Sequence, residues 1–317
     1  MSHKIDYSQG IYDARSLGTP RLLILGAQHM FAMFGATVLV PLLTGLSVST
    51  TLLCAGLGTL LFHFLCKGKV PAFLGSSFAY LGGFAIVTNN GEHPENLPYA
   101  CAAVAISGLV YVLFSCLISA FGIRRMMKFF PPVVTGPIII SIGLILAPSA
   151  IKNCQSNWLL AFAALATVIV CNIWGKGMVK ILPILLGVLV SYAVALVTGA
   201  VDFKAISDAA WLGVPVHTAR MGLFAMDGSE QFISAIFTIV PIALATMMEH
   251  IGDIAAISAT TGKNYIRDPG LNKTLLGDGL ATAMAGLLGG PANTTYGENT
   301  GVLALTKIYD PLVIRIA

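Results

Sequence analysis

The chain has 317 residues, of which 56% are hydrophobic and only 10% are charged, and its formal net charge is +4. Because a typical soluble domain has about a quarter of its side chains charged, this composition excludes an ordinary soluble core. The lysines and arginines are dispersed in short segments instead of forming a basic stripe with aromatic residues, which argues against nucleic acid as a partner. The six cysteines lie in or beside apolar runs without a CxxC pair, so we predict no metal or redox site.

The segment 1–21 is polar and lacks the order of basic and then apolar residues that marks a cleavable signal peptide. We predict that it is a cytoplasmic N-terminal segment and that the first span stays in the membrane. The apolar runs that follow are each long enough to cross roughly 30 Å of hydrocarbon as a helix. In chain order we predict about ten spans, at 22–45, 48–66, 71–89, 97–122, 132–150, 156–175, 181–200, 231–257, 274–290 and 293–309.

The distribution of positive charge supports this number of spans. With the N-terminus in the cytoplasm, fourteen lysines and arginines fall in cytoplasmic segments and three, Lys152, Lys204 and Arg220, fall outside. This alternation follows the positive-inside rule, and adding or removing one span would destroy it downstream. The segment 201–230 has no periodic apolar run and is predicted to be an external loop. The final residues, DPLVIRIA, begin a further apolar run, so we expect the sequence to be part of a longer chain.

Three carboxylates are predicted to lie at membrane depth, where each costs at least ~2.5 to 3.5 kcal/mol to insert and is usually functional. Glu249 and Asp253 are four residues apart and share one helix face, and Glu298 lies in another span. Since no lysine or arginine is predicted at that depth, these groups would accept hydrogen bonds or protons, although each could instead be a structural acceptor between helices. Asp278 is predicted to stand at the start of a span at the cytoplasmic face. His29 is either a satisfied core histidine or part of a polar site wall.

Two predicted spans are not clean helices. The segments 69–84 and 289–307 both mix proline, glycine and paired hydroxyl residues at what should be the middle of the membrane. Irregular backbone survives at that depth only where protein covers it or where it lines a cavity, and interrupted helices in matching positions are typical of inverted-repeat transporters. The alternative is a glycine-rich packing interface between ordinary helices.

The groups at these breaks suggest a class of solute. Backbone N–H groups near Phe78 and Gly297 can donate to carbonyl oxygens, and Glu249 and Glu298 can accept from N–H groups. Phe78 or Tyr296 can stack on a flat ring. A planar ring with alternating donors and acceptors fits this set, and a nucleobase has that chemistry.

The same segments carry a family resemblance. The runs EHIGD (249–253) and NTTYGENTGVLALTK (293–307) resemble the signature segments of the nucleobase:cation symporters, also called the nucleobase/ascorbate transporter family. Upstream, the runs QHMFAMFGATVLVP (28–41), KGKVPAFLGSSFAY (67–80) and FPPVVTGP (130–137) are similar to its bacterial uracil permease branch. The family motif is an acidic residue, Gln or Pro, then Asn, any residue, Gly, four more residues, Thr, and a basic residue or Gly. It is met in order by Glu298, Asn299, Gly301, Thr306 and Lys307.

The resemblance implies an all-α membrane fold of fourteen segments in two inverted repeats of seven, of which about ten are present. It divides this chain into a first part of a core domain at 22–122, a first part of a gate domain at 123–200, and a second part of the core at 231–317. The third and tenth segments are then the interrupted ones, each a short strand joined to a helix.

The resemblance also implies a site and a mechanism. A proton would drive uracil import across the bacterial cytoplasmic membrane, with no further cofactor, and we leave a homodimer open. At Asp253 a uracil permease of that branch has a histidine associated with proton coupling, so the coupling is expected to differ in detail. The substrate residues implied are Ala36, Phe78, Glu249, Tyr296, Gly297 and Glu298, and the proton-coupling residues are Glu249, Asp253, Glu298 and His29.

Three alternatives stay open from the sequence. A xanthine or urate carrier of the same family is the nearest, although a glutamate at 298 accepts only, whereas an amide can also donate to a purine. An anion transporter or channel on a related fold would need positive charge at the site. An intramembrane enzyme is disfavoured because no HExxH, GxSxG or Cys/His arrangement occurs at membrane depth.

Overall fold

The computed structural model describes residues 10–126, 150–176, 183–201 and 213–317, together with isolated positions at 137, 140, 144, 147, 148, 179 and 203. The chain divides into a larger unit, residues 1–142 with 216–317, and a smaller unit, residues 143–215. The strands are β1 (Leu74–Ser76) and β2 (Asn293–Thr295). The helices are α1 (Thr19–Thr44), α2 (Val48–Leu65), α3 (Leu81–Val87), α4 (Leu97–Phe121), α5 (Ile123–Met126), α6 (Trp158–Trp174), α7 (Pro183–Val197), α8 (Glu230–Ile239), α9 (Ile242–Thr261), α10 (Leu271–Leu287), α11 (Gly297–Thr306) and α12 (Pro311–Ile316).

Helix ends in the larger unit follow from local sequence. The Ser47 and Ser229 hydroxyls precede α2 and α8 and accept a hydrogen bond from the N–H three residues later, at 3.4 and 3.3 Å. Helices α1 and α9 end at Gly45 and Gly262, whose φ values of +79° and +71° suit glycine because it has no Cβ. Pro241, which has no N–H to continue a helix, divides α8 from α9.

The centre of the larger unit is a close crossing of α4 and α10. A Cβ on Gly108 would lie 2.4 Å from the carbonyl oxygen of Gly279 and 2.5 Å from the backbone nitrogen of Ala283. A Cβ on Gly286 would lie 2.5 Å from the backbone nitrogen of Ala105. The two backbones are therefore in contact, which is the packing mode that small residues permit between membrane helices.

The two interrupted segments meet as a pair of short antiparallel strands, with Leu74 opposite Thr295. Side chains from neighbouring helices form hydrogen bonds with further backbone groups of the strands. The Thr59 hydroxyl of α2 accepts from the Leu74 N–H at 3.0 Å, and the Thr282 hydroxyl of α10 donates to the Asn293 carbonyl at 2.8 Å. The prediction of short strands in these segments is confirmed, and each strand residue is buried.

The described part of the smaller unit includes two helices that pack on each other, α6 and α7. The Asn157 side chain begins α6 by accepting from the Leu160 N–H at 3.3 Å. A Cβ on Gly187 of α7 would lie 2.8 Å from a methyl of Val168 and 3.2 Å from the Ala164 carbonyl oxygen, so this glycine sets the contact with α6.

Four described helical stretches are long and apolar enough to cross a membrane: Thr19–Thr44, Val48–Leu65, Pro94–Phe121 and Glu230–Thr261. Large apolar side chains such as Phe64, Leu113 and Phe237 are exposed on these helices, as expected for surfaces that face lipid. The prediction of an all-α membrane protein is confirmed. The fifth predicted span, 132–150, lies outside the described residues apart from isolated positions.

Residues 10–17, here called the N-terminal strap, lie across the ends of α9 and α11. Ile11 forms two backbone hydrogen bonds, at 2.7 and 2.8 Å, with the segment that follows α11. The Tyr12 hydroxyl donates to the carbonyl oxygen of Thr261 at the end of α9, and its ring centroid lies 5.4 Å from that of Tyr309. The strap thus joins the end of α9 to the segment after α11, and the sequence analysis assigned both of them to the same side of the membrane as the strap.

Two further contacts agree with the predicted alternation of loops. Lys69, which follows α2, pairs with Asp268, which precedes α10, with an N–O distance of 2.5 Å. Both were predicted to be cytoplasmic. Arg220, which was predicted to be external, donates to the carbonyl oxygen of Gly45 at 2.7 Å, and Gly45 is the last residue of the first predicted span, at its external end.

Candidate functional site

The two strand–helix junctions form one side of the candidate site. After β1 the Ser77 N–H donates to the Ala292 carbonyl at 2.9 Å, and after β2 the Tyr296 N–H donates to the Phe73 carbonyl at 2.9 Å. The pairing therefore extends one residue beyond each strand. Helix α11 begins immediately afterwards without a side-chain cap, so N–H groups of its first turn are available to a ligand.

The α9 carboxylates line the same junction. Asp253 is half-buried, and its Oδ2 accepts a hydrogen bond from the Thr295 hydroxyl of β2 at 3.0 Å. Its Oδ1 lies 3.4 Å from the position that a Cβ on Gly297 would occupy. One turn earlier on α9, Glu249 is exposed. The four-residue spacing places the two acids on one face, as expected, and that face packs against β2 and α11.

Gly297 and Glu298 are both exposed in the first turn of α11. A carboxylate is favoured there because the N-terminal end of a helix carries partial positive charge. Glu249, Asp253 and Glu298 lie close enough to influence one another electrostatically. The structure thus brings together the three acids that the sequence analysis selected.

Ala36 and Phe78 form an apolar part of the same region. Ala36 is buried on α1, and the Ser76 hydroxyl of β1 donates to its carbonyl oxygen at 3.3 Å. Phe78 is half-buried and packs on a cluster that contains Ala36 and Tyr296. A flat ring bound at the junction would meet a phenyl side chain here.

Tyr296 is held inside this cluster. Its hydroxyl donates to the Ser76 carbonyl oxygen at 2.7 Å and accepts from the Thr37 hydroxyl at 3.0 Å. A Cβ on Gly75 would lie 2.6 Å from the Tyr296 ring, so the ring packs directly on the backbone of β1. Its partners are thus protein groups on α1 and β1, and it links the two interrupted segments.

His29 is buried on α1 and contacts α11. Its Nδ1 lies 3.1 Å from the Asn299 side-chain nitrogen, which also donates to the His29 carbonyl oxygen at 3.1 Å. The histidine is therefore the neighbour of the residue that follows Glu298. The Nδ1 atom of His29 thus has a polar partner, and the residue also lies next to the site, so both alternatives left open by the sequence remain.

The prediction for Asp278 is wrong. It does not stand at the start of a span: α10 begins at Leu271, and Asp278 lies two turns inside it, fully buried. Its Oδ2 is 3.4 Å from Nδ1 of His250, which is equally buried. Sequence reasoning missed this pair. Two signals were available: His250 directly follows Glu249 on α9, and Asp278 has a glycine on each side.

A cavity of about 390 Å³ opens elsewhere in the larger unit, between α3, α8 and the turn before α4. Asn96, Glu230 and Ser234 are among its lining residues. None of the predicted site residues lines it, so it is separate from the junction.

Comparison with known proteins places the chain in a family. A family model described as "Permease family" matches residues 20–317. The chain is 42% identical over 303 residues to a probable uracil permease of Haemophilus influenzae, covering 92% of this chain and 70% of that protein. It is 40% identical over 301 residues to a uracil permease of Bacillus caldolyticus, covering 92% and 68%, and 37% identical over 302 residues to a uracil permease of Escherichia coli, covering 92% and 67%.

Among solved structures, the chain resembles the transmembrane domain of a cyanobacterium bicarbonate transporter, BicA, with a TM-score of 0.70. The likeness covers 97% of this chain and 82% of that one at 17% sequence identity, so it shows the fold alone. The prediction of a carrier in the membrane, and not an enzyme, agrees with these matches. The chain belongs to the permease family whose model spans residues 20–317.

Proposed function

We propose that this chain imports uracil, with protons as the coupling ion, across the cytoplasmic membrane of a bacterium, with its N-terminus in the cytoplasm. The observation that carries the proposal is the meeting of two carboxylate-bearing helices, α9 and α11, at the paired strand–helix junctions. The relatives named as uracil permeases support the choice of solute. The excess of lysine and arginine in the predicted cytoplasmic segments supports the orientation.

In this proposal the solute is a neutral, planar ring held by hydrogen bonds. Glu249 and Glu298 accept from its N–H groups, and the N–H groups at Gly297 and Glu298 donate to a carbonyl oxygen. Phe78 stacks on the ring, and Ala36 leaves space for it. Tyr296 holds the two junctions together, and His29 acts on the site through Asn299 or through water.

The acidic character of the junction distinguishes this function from anion transport. The likeness to a bicarbonate transporter is one of fold, whereas the groups exposed at this junction are carboxylates. An anion would be repelled by them, while a base with ring N–H groups would be bound. Movement of the core segments against the gate segments, and a homodimer, are parts of the proposal that derive from the family resemblance.

The proposal is tested by uptake of labelled uracil into cells that lack their own uracil carrier. Import that collapses when a protonophore is added is the expected result, and Glu249→Gln or Glu298→Gln should abolish it. Glu95→Gln is the matched control, because Glu95 is an exposed loop carboxylate that contacts His93 and lies outside the site. Uptake unchanged by both site substitutions would refute the proposal, and competition by xanthine stronger than by uracil would favour a purine carrier.

A further inference from the structure

Behind the exposed acids lies a chain of buried polar groups that connects three elements. Asp278 on α10 and His250 on α9 both have fully buried side chains, and their Oδ2 and Nδ1 atoms are 3.4 Å apart. The same Nδ1 is 3.2 Å from the Thr295 hydroxyl of β2. That hydroxyl donates to Oδ2 of Asp253 at 3.0 Å, and Asp253 is only half-buried. The four side chains thus lead from the exposed face of the site to a closed interior.

The burial of Asp278 limits its charge. Neither carboxyl oxygen makes a hydrogen bond of good geometry with a described residue, and its nearest polar groups are His250 and the Thr295 backbone N–H. An ionised carboxylate beside a neutral imidazole in such surroundings costs several kcal/mol, so a proton that reaches the pair is taken up by Asp278. Asp278 and His250 are thus suited to hold a proton away from water.

We propose that Asp278 and His250 form the inner end of the proton path, linked to Asp253 through the Thr295 hydroxyl. This inference rests on the proposed proton-coupled import. A proton that reaches Asp253 passes to the Thr295 oxygen while the original hydroxyl proton passes to Nδ1 of His250. The Nδ1 proton then passes to Oδ2 of Asp278. One O–H bond is lost at Asp253 and one is gained at Asp278, and the other imidazole proton is unchanged.

Other titratable groups lie around this path. The elements packed around the two acids contribute Cys66 after α2, Tyr80 before α3, Tyr111 on α4, Glu249 on α9 and Glu298 on α11. The tyrosine hydroxyls are engaged by other hydrogen-bond partners: Tyr80 contacts Ser107, and Tyr111 donates to Thr246. Among the described residues, the path itself runs only through Asp253, Thr295, His250 and Asp278.

The test separates solute binding from proton coupling in purified protein reconstituted into vesicles. Asp278→Asn cannot accept the proton, so proton-driven accumulation of uracil should fall at least about tenfold and its dependence on pH should flatten. Exchange of internal for external uracil needs no net proton movement and should stay within about threefold of wild type. Thermal stabilisation by uracil should likewise persist.

A second pair of variants keeps the test decisive if Asp278→Asn fails to fold. Thr295→Val removes the linking hydroxyl with little change in shape and should uncouple transport, whereas Thr295→Ser keeps the hydroxyl and should remain coupled. Accumulation with a wild-type pH profile in the folded Asp278→Asn or Thr295→Val variant overturns the path. An equal loss of exchange and accumulation in either folded variant also overturns it, since that indicates a purely structural role. A wild-type protein that does not bind uracil refutes the proposed function itself.

Discussion

The crossing of α4 and α10 allows a sharp test of the packing. A Cβ on Gly279 would lie 2.4 Å from the Tyr111 Cβ and 2.7 Å from the Gly108 carbonyl oxygen. Because carbon atoms prefer separations of about 3.5 to 4.0 Å, the two backbones would have to move apart by about 1 Å. Gly279→Ala should therefore destabilise the protein by about 1–3 kcal/mol, the usual cost of overpacking.

The measurement is thermal unfolding in detergent, followed with a dye that reacts with cysteines as they become exposed. Cys54 and Cys101 are buried in the larger unit and report its unfolding, whereas the exposed Cys116 gives the background. Gly252→Ala is the matched control: it is also a helical glycine, on α9, but nothing lies within 4 Å of its Cβ position. Equal melting temperatures for Gly279→Ala and Gly252→Ala would refute the close crossing.

Three further predictions concern the surface of the larger unit. Tyr12→Phe removes the hydrogen bond from the strap to Thr261 and should lower the melting temperature less than Tyr12→Ala, which also removes the ring contacts; equal losses would show that the hydroxyl alone matters. Lys69 holds the pKa of Asp268 below its ordinary value by hydrogen bonding, so the small stabilisation is present at neutral pH and is lost as the pH falls through that pKa. The melting temperatures of wild type and Lys69→Ala should thus converge as the pH is lowered. A difference in melting temperature that grows in acid would contradict a stabilising Lys69–Asp268 ion pair. Ser47→Ala should cost about 0.5–2 kcal/mol through loss of the α2 cap, and Ser47→Gly clearly less; identical melting of the two variants would argue against the cap.

Much of the fold could be predicted because the hydropathy of a local segment is enough to indicate a membrane helix. Hydropathy gave spans that agree with α1, α2 and α4 within a few residues, and the proline, glycine and hydroxyl content of two segments predicted the paired strands. The acids Glu249 and Glu298 could be selected because a carboxylate inside an apolar run is costly. Their meeting at one junction was expected because interrupted spans in inverted-repeat transporters face a shared site, but the contacts that place them there depend on the packing of α9 against α11.

Asp278 shows where local reasoning fails. The predicted span began at 274, which placed the aspartate in its first turn, where a carboxylate is ordinary. In the structure α10 begins at Leu271, and Gly277 and Gly279 let Phe62 and Tyr111 approach on either side. Whether a polar residue inside a helix faces a partner depends on elements far away in sequence, and here the partner is His250 on α9.

The strap also has a consequence for any handling of the N-terminus. A Cβ on Gly10 would lie 2.1 Å from the Tyr309 ring, and the Asp310 side chain both accepts from the Ala14 N–H at 2.8 Å and begins α12. An affinity tag or fluorescent protein fused directly at residue 10 would therefore press on the ends of the helices that carry Glu249 and Glu298. Labels placed before the strap therefore need a flexible spacer, because a displaced strap would disturb the ends of α9 and α11, the helices that carry Glu249 and Glu298.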